Sequence, residues 1–365
     1  MSVTSDSSAL HEQSTEFAPI KLGNVVIDFP VVQAALSGYS DWPMRSVARE
    51  LGAAYTVCEV MLDQFLLAVK PRERNRHILY RTDQERPVGG QLMGAEPEMF
   101  AAGARRLVDA GFDVIDINFG CPVKKVLGRC RGGFHLGQPD VALEIIRRTR
   151  DIVPGEIPVT VKMRKGIDDS SASCDDFFTI LDGAFEAGVA AVTVHGRTVE
   201  QRYIGSSNWD FLASVKRHVG DRIIFGSGDL FSPEDCLQMM RKTGVNGVTV
   251  ARGAIGNPWI FSRARKLFAG QPLPPPPDLH QQKTVMWDHY QRSESLYGER
   301  RAPQLMRKFG IKYARLHPSH EEVRTKMTRI KSGDDFREVL DHWYHNNAPG
   351  IEPICDEVAS TCEGD

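Results

Sequence analysis

The chain has 365 residues, 41% hydrophobic and 25% charged, with a formal net charge of −2 at pH 7. That length exceeds one minimal module and fits a single large α/β barrel or two ordinary domains. The composition excludes a largely disordered or collagen-like chain, and no apolar run approaches the roughly 18 residues of a membrane helix. Residues 1–17 are polar and acidic, without the basic flank and apolar stretch of a secretory signal, and are expected to form a disordered tail. Seven cysteines without a CxxC pair suggest neither a disulfide framework nor a metal knuckle. A cytoplasmic monomer without a metal site is the expectation.

Short β-branched or apolar runs recur along the chain at 29–35, 53–61, 87–94, 114–120, 158–164, 191–197, 222–228 and 247–253. Between them lie segments with apolar residues at three and four residue intervals, such as 97–111 and 139–153, which predict helices. Eight buried strands alternating with amphipathic helices over residues 18–270 predict a (β/α)8 barrel, and the missing GxGxxG turn after the first strand disfavours a doubly wound sheet. Residues 271–280, QPLPPPPDLH, form a stiff proline linker. Beyond it, 281–345 has no strand-like run and predicts a small all-helical domain, followed by an acidic tail at 346–365 expected to be disordered.

Barrel enzymes place chemistry at the strand C-termini and often hold phosphate with the loops after strands seven and eight. Those loops are GSGDL (226–230) and ARGAIGNPW (251–259), where Gly226, Gly228 and Gly253 could admit a phosphate to backbone N–H groups and Arg252 could add a charge. Lys162 and Arg164 share one face of strand five, and His195 ends strand six at the same level as Lys162. With Gln91 on strand three they would suit a flat heteroaromatic ring bearing carbonyls and a phosphate tail. After strand four comes NFGCPVKK, in which Cys121 on a rim loop can act as a proton donor, since an unperturbed thiol is about 97% protonated at neutral pH. Cys130 on the same loop is its rival, and Cys58 a weaker one.

Charge is unevenly spread. Residues 301–331 carry 9 Lys and Arg against 2 Asp and Glu, whereas 332–365 carry 1 against 9. Arg307, Lys308, Lys312, Arg315, Arg324, Lys326, Arg329 and Lys331 recur at helical intervals and could meet a phosphate backbone.

The sequence NFGCPVKKV resembles the N-x-G-C-P hallmark of the tRNA-dihydrouridine synthases, and VTVKMRKG, HGRT, GSGDL and ARGAIGNPWIF resemble that family's later motifs in the same order. The resemblance implies an FMN-binding barrel with a helical tRNA-binding domain, NADPH as reductant, and tRNA uridine as substrate. It makes Cys121 the acid that protonates C5 of the base. It places Ala35, Leu36, Ser37, Gln91, Lys162, His195, Ser227, Gly228, Asp229, Ala251 and Arg252 at FMN. Asn118 and Arg164 match positions near the flavin and the target base, and Arg324, Lys326 and Arg329 are expected to meet tRNA. Ser227 and Ala251 stand where the family usually has Asn and Gly, and Phe134-His135 replaces small apolar residues. A flavin barrel acting on a free pyrimidine-like metabolite, or a non-catalytic RNA-binding barrel, would each account for only half of these features.

Overall fold

The computed structural model describes residues 17–70 and 72–354; the remainder of both expected tails lies outside the described residues. Eight parallel strands form the barrel: β1 (Val31–Gln33), β2 (Thr56–Val57), β3 (Val88–Met93), β4 (Val114–Phe119), β5 (Val159–Arg164), β6 (Ala191–His195), β7 (Ile224–Ser227) and β8 (Gly247–Val250). Each pairs with the next, and β8 returns to β1 through Val248–Val31 and Val250–Gln33, which closes the sheet. The eight β-branched runs of the sequence contain these strands. They are buried on both faces because helices cover the outside, yet β4 and β5 still alternate apolar with polar residues.

Alternation decides what points inward. Tyr55, Gln91, Asp116, Thr160, Lys162 and Thr249 line the barrel interior together with apolar residues such as Val32, Val57 and Phe225. Ile115 and Ile117 lie between them on β4 and face the helix layer. The helices Pro97–Asp109 and Pro139–Ile152 match their predicted segments, each opened by proline in the first turn, where no N–H is needed. An antiparallel pair, Ile20–Leu22 with Val25–Ile27, precedes the barrel and was not anticipated. It covers the N-terminal end, with Leu22 reaching the interior.

Residues 271–278 have no regular structure. The next helix starts at Leu279, inside the expected linker, because Asp278 caps it by accepting from Gln281 N at 2.7 Å. Helices Leu279–Tyr297, Ala302–Tyr313, His320–Met327 and Gly333–Trp343 follow, and no strand occurs after Val250 among the described residues. They pack around Tyr290, Phe309, Met327, Phe336 and Leu340. Arg292 ties this unit to the barrel through Ser46 Oγ at 2.5 Å and Glu50 at 2.6 Å. The expected disorder of 346–365 is corrected for its first part. Ile351 N donates to Leu316 O at 3.0 Å, Ile354 N donates to Arg315 O at 3.2 Å, and Glu352 pairs with the buried Arg263, so this segment is stitched to the helices.

Candidate active site

The C-terminal rim gathers residues from most of the strands. Gln91 and Asp116 are register partners on β3 and β4, and Asn118 is paired with Lys162 across β4 and β5. His195 is paired with Arg164, while Lys162 opposes Thr193. The expectation that His195 and Lys162 stand level is therefore corrected: the shear of the barrel carries His195 one inward position further up.

Cys121 follows β4 on a loop held from both sides. Asn118 Oδ1 accepts from Gly120 N at 2.9 Å and from Cys121 N at 3.1 Å, and Gly133 N donates to Cys121 O at 3.0 Å. Burial pushes the thiol's pKa up, opposed by the Val123 N–H and by the nearby Arg164 and Lys162 cations. The group thus carries its proton at neutral pH. Of its rivals, Cys130 is exposed and lies beyond the short helix Lys124–Leu127. Cys58 is buried, with its pKa pushed up to about 11 by burial, and its sulfur donates to Glu59 O at 3.3 Å while receiving Gln91 N at 3.4 Å.

Lys162 is half-buried, and its pKa is lowered to about 8 by burial and then by Arg164, with Asp116 and Cys121 pulling the other way. His195 is held neutral by burial and by the surrounding Lys162, Arg164, Arg197 and Arg252 cations. Arg197 Nη1 lies 3.2 Å from His195 Nε2. A guanidinium can only donate, so Nε2 accepts and the ring proton sits on Nδ1.

On the opposite side of the rim, Asp229 has left-handed backbone geometry at φ 58°. Its carboxylate accepts from Arg197 Nη2 at 2.8 Å and from Ser207 N at 2.7 Å, and Arg252 Nη2 stands 3.7 Å away. The Asp229 side chain is therefore occupied with the loop after β6. Gly228 (φ 111°) is closely packed: a Cβ there would lie 2.4 Å from Ser207 Oγ and 2.8 Å from His195 Nε2. The other two glycines are closely packed as well. A Cβ on Gly226 would meet Met239 Sδ at 2.5 Å, and one on Gly253 would meet Leu230 O at 2.2 Å, so packing requires them. Ser227 is buried and its carbonyl accepts from Ser207 Oγ; Ala251 and Arg252 are half-buried beside it.

After β1, Ser40 Oγ receives Leu36 N at 2.8 Å and returns a bond to Leu36 O, shaping the turn that carries Ala35, Leu36 and Ser37 at the rim. Arg164 is buried, and its pKa is lowered to about 10, chiefly by burial, with Arg197 and Arg252 adding to this. It donates to the carbonyls of Gly120, Thr198 and Arg202 at 2.7–2.9 Å, stapling the Cys121 loop to the loop after β6. His135 lies under the end of β4, its Nε2 donating to Gly94 O at 2.9 Å and its ring against Phe119, so the departure at Phe134-His135 is a packing feature.

Sequence reasoning missed Arg197, Asp116 and Ser207, although HGRT and VIDINFG contain the first two. In the helical unit, Arg324, Lys326 and Arg329 are exposed. Arg307 and Arg315 are corrected as phosphate contacts, because they donate to Ile330 O and to Lys312 O and Ile255 O. Among the described residues, no group of three or more His, Cys, Asp or Glu could hold a metal ion, and no helix is long and apolar enough to cross a membrane.

A family model described as dihydrouridine synthase matches residues 32–348. The probable tRNA-dihydrouridine synthase of Rickettsia prowazekii is 32% identical over 325 residues, covering 89% of this chain and 97% of the relative. The tRNA-dihydrouridine synthase B of Xanthomonas axonopodis pv. citri is 30% identical over 346 residues, covering 93% and 100%. The solved structure of histamine dehydrogenase from Rhizobium sp. 4-9 matches with a TM-score of 0.55 at 13% identity, over 76% of this chain and 51% of that one. That of 2-naphthoyl-CoA reductase with 2-naphthoyl-CoA gives 0.55 at 11%, over 71% and 53%. This chain spans about half the length of those two structures and shares the barrel fold with them.

Proposed function

Since the chain belongs to the dihydrouridine synthase family, we propose that it reduces the C5–C6 double bond of uridine in tRNA, using FMN reduced by NADPH. The observation that carries this reading is Cys121: a protonated thiol, held by Asn118 on the barrel rim, within the field of Lys162 and Arg164. FMN, when bound, supplies hydride chemistry at the base's C6.

The residues present fit that group. Gly228, whose φ of 111° and close approach to Ser207 and His195 exclude a side chain, brings bare backbone to the rim beside Arg252, where it could meet a phosphate. Gln91, Lys162 and the Nδ1–H of His195 form a donor-rich edge suited to a carbonyl-bearing ring, and Lys162 places positive charge where electron density would collect. Ala35, Leu36, Ser37, Ser227, Asp229 and Ala251 contribute backbone and small side chains around it. Cys121 gives its proton to C5 of the base, and the Val123 N–H with the Lys162 and Arg164 cations holds the thiolate left behind. Asn118 orients that thiol and Arg164 fixes its loop.

The base must leave its stack to reach the rim, which costs a few kcal/mol. Arg324, Lys326 and Arg329 are solvent-facing cations that can offset this cost through phosphate contacts without reading sequence. A barrel acting on a free pyrimidine would have no use for them. The test is dihydrouridine analysis of tRNA from cells lacking the protein: loss at one or more positions is expected, and an unchanged profile would contradict the proposal.

A further inference from the structure

Below the rim, a chain of hydrogen bonds joins the Cys121 loop to the barrel interior, each donated toward Asp116. Asp116 is 5% exposed and accepts from Thr160 Oγ1 at 2.6 Å and from Gln91 Nε2 at 2.6 Å. Gln91 Oε1 accepts from Asn118 Nδ2 at 2.7 Å, and Asn118 Oδ1 accepts from the N–H groups of Gly120 and Cys121. A carboxylate has no hydrogen to give, so the nitrogen of Gln91 must face it. Its oxygen then faces Asn118, which must turn its nitrogen to Gln91 and its oxygen to the loop. One buried carboxylate thus sets the polarity of every bond in the chain. Burial raises the Asp116 pKa above the ordinary carboxylate range, and the bonds from Gln91 and Thr160, with Lys162 nearby, oppose that rise.

We propose that Asp116 is a positioning residue: by fixing which way the Gln91 and Asn118 amides point, it holds the backbone of Cys121 in the pose from which the thiol meets the base. This rests on the function proposed above. A carboxylate that merely filled polar space would be indifferent to the direction of the bonds beyond it, and that difference is measurable.

The test reverses the chain. Asp116→Asn alone releases Gln91 to turn over, and Asn118→Asp alone sets a carboxylate against the Gln91 carbonyl. Combined, the two substitutions satisfy every bond in the opposite sense. The carboxylate at position 118 receives both loop N–H groups and Gln91 Nε2, while the amide at position 116 donates to Gln91 Oε1 and accepts from Thr160. Each single variant is expected to speed iodoacetamide alkylation of Cys121 by about tenfold relative to Cys130, and to slow oxidation of the reduced flavin by tRNA by a similar factor. The double variant should return the alkylation rate to within about threefold of the parent.

Thermal melts of the four apoproteins make the same comparison without cofactor or RNA, with the double variant melting above either single one. A double variant as impaired as the worse single one, or failing to fold where they fail, overturns the proposal. A parent protein that binds no FMN and forms no dihydrouridine defeats the functional reading, and the melts then decide the network by themselves.

Discussion

The Tyr297 hydroxyl donates to the Asp41 carboxylate at 3.0 Å, joining the helical unit to the loop after β1. Asp41 also caps the helix Trp42–Glu50 by accepting from Met44 N at 3.2 Å. Burial holds its pKa up at about 6, with Glu59 adding to the rise and the Met44 and Tyr297 bonds and Lys308 opposing it. The folded state therefore binds this proton more tightly than the unfolded chain. Asp41 detracts from stability at higher pH, and the loss is relieved as pH falls through about 6 toward 4.

At about 1.4 kcal/mol per pKa unit the effect is at most about 3 kcal/mol. Asp41→Asn keeps the cap and should flatten the stability profile across this window, as read from urea unfolding at several pH values. Tyr297→Phe should move the window upward and cost about 1 kcal/mol. A parent whose stability shows no Asp41-dependent slope between about pH 4 and 7 would contradict this assignment.

Replacing Cys121 by Ala should leave a folded yellow protein that NADPH still reduces, while dihydrouridine formation falls by about 10²–10⁴. Cys130→Ala is the matched control, being exposed on the same loop. Rapid-mixing traces of flavin reduction and reoxidation separate the two half-reactions. Loss of activity in the Cys130 variant alone would reassign the acid.

Reversing the charges of Arg324, Lys326 and Arg329 should weaken tRNA binding and lower the slope of log affinity against log salt by about 0.7–0.9 for each phosphate no longer neutralised. Flavin reduction by NADPH should not change, because these side chains are exposed on a segment remote in sequence from the barrel loops. Filter binding across a salt series provides the measurement. An unaltered slope would make this stretch only a solvated face.

Gly228→Ala should abolish FMN retention or reduce it by at least tenfold, and cost about 1–3 kcal/mol of stability, since it combines a positive φ with a clash on Ser207 and His195. Gly155→Ala, where a new Cβ meets nothing within 4 Å, is the control and should be nearly neutral. Fluorescence titration of FMN into each apoprotein distinguishes them. Equal affinities would remove Gly228 from the cofactor cradle.

The barrel was legible because eight short β-branched runs recur between helical segments, although strands such as VIDINF and VTVKMR alternate, with polar residues such as Asp116, Thr160 and Lys162 on the inward face. The preceding pair at Ile20–Ile27 was missed although IKLGNVVI carries a Gly-Asn turn between two β-branched stretches. Rim residues were legible as a group because they follow strand ends, but their individual commitments depend on three-dimensional neighbours. Arg164, Arg307 and Arg315 look like free cations in the sequence and are bound to carbonyls. Asp116 looked like one polar residue in a strand, and only its bonds to Gln91 and Thr160 show what it orients. His195 required the barrel's shear to be placed opposite Arg164.

The central claim is a hydride and proton transfer to tRNA uridine on this barrel, and a single-turnover experiment tests it most directly. Purified protein loaded with FMN is reduced anaerobically by NADPH, freed of excess nucleotide, and mixed with unmodified tRNA, with flavin absorbance and nucleoside composition followed together. The flavin band should return with one dihydrouridine formed per flavin oxidised. Reduced flavin that persists in the presence of tRNA, yet is oxidised at once by a free pyrimidine, would contradict the account.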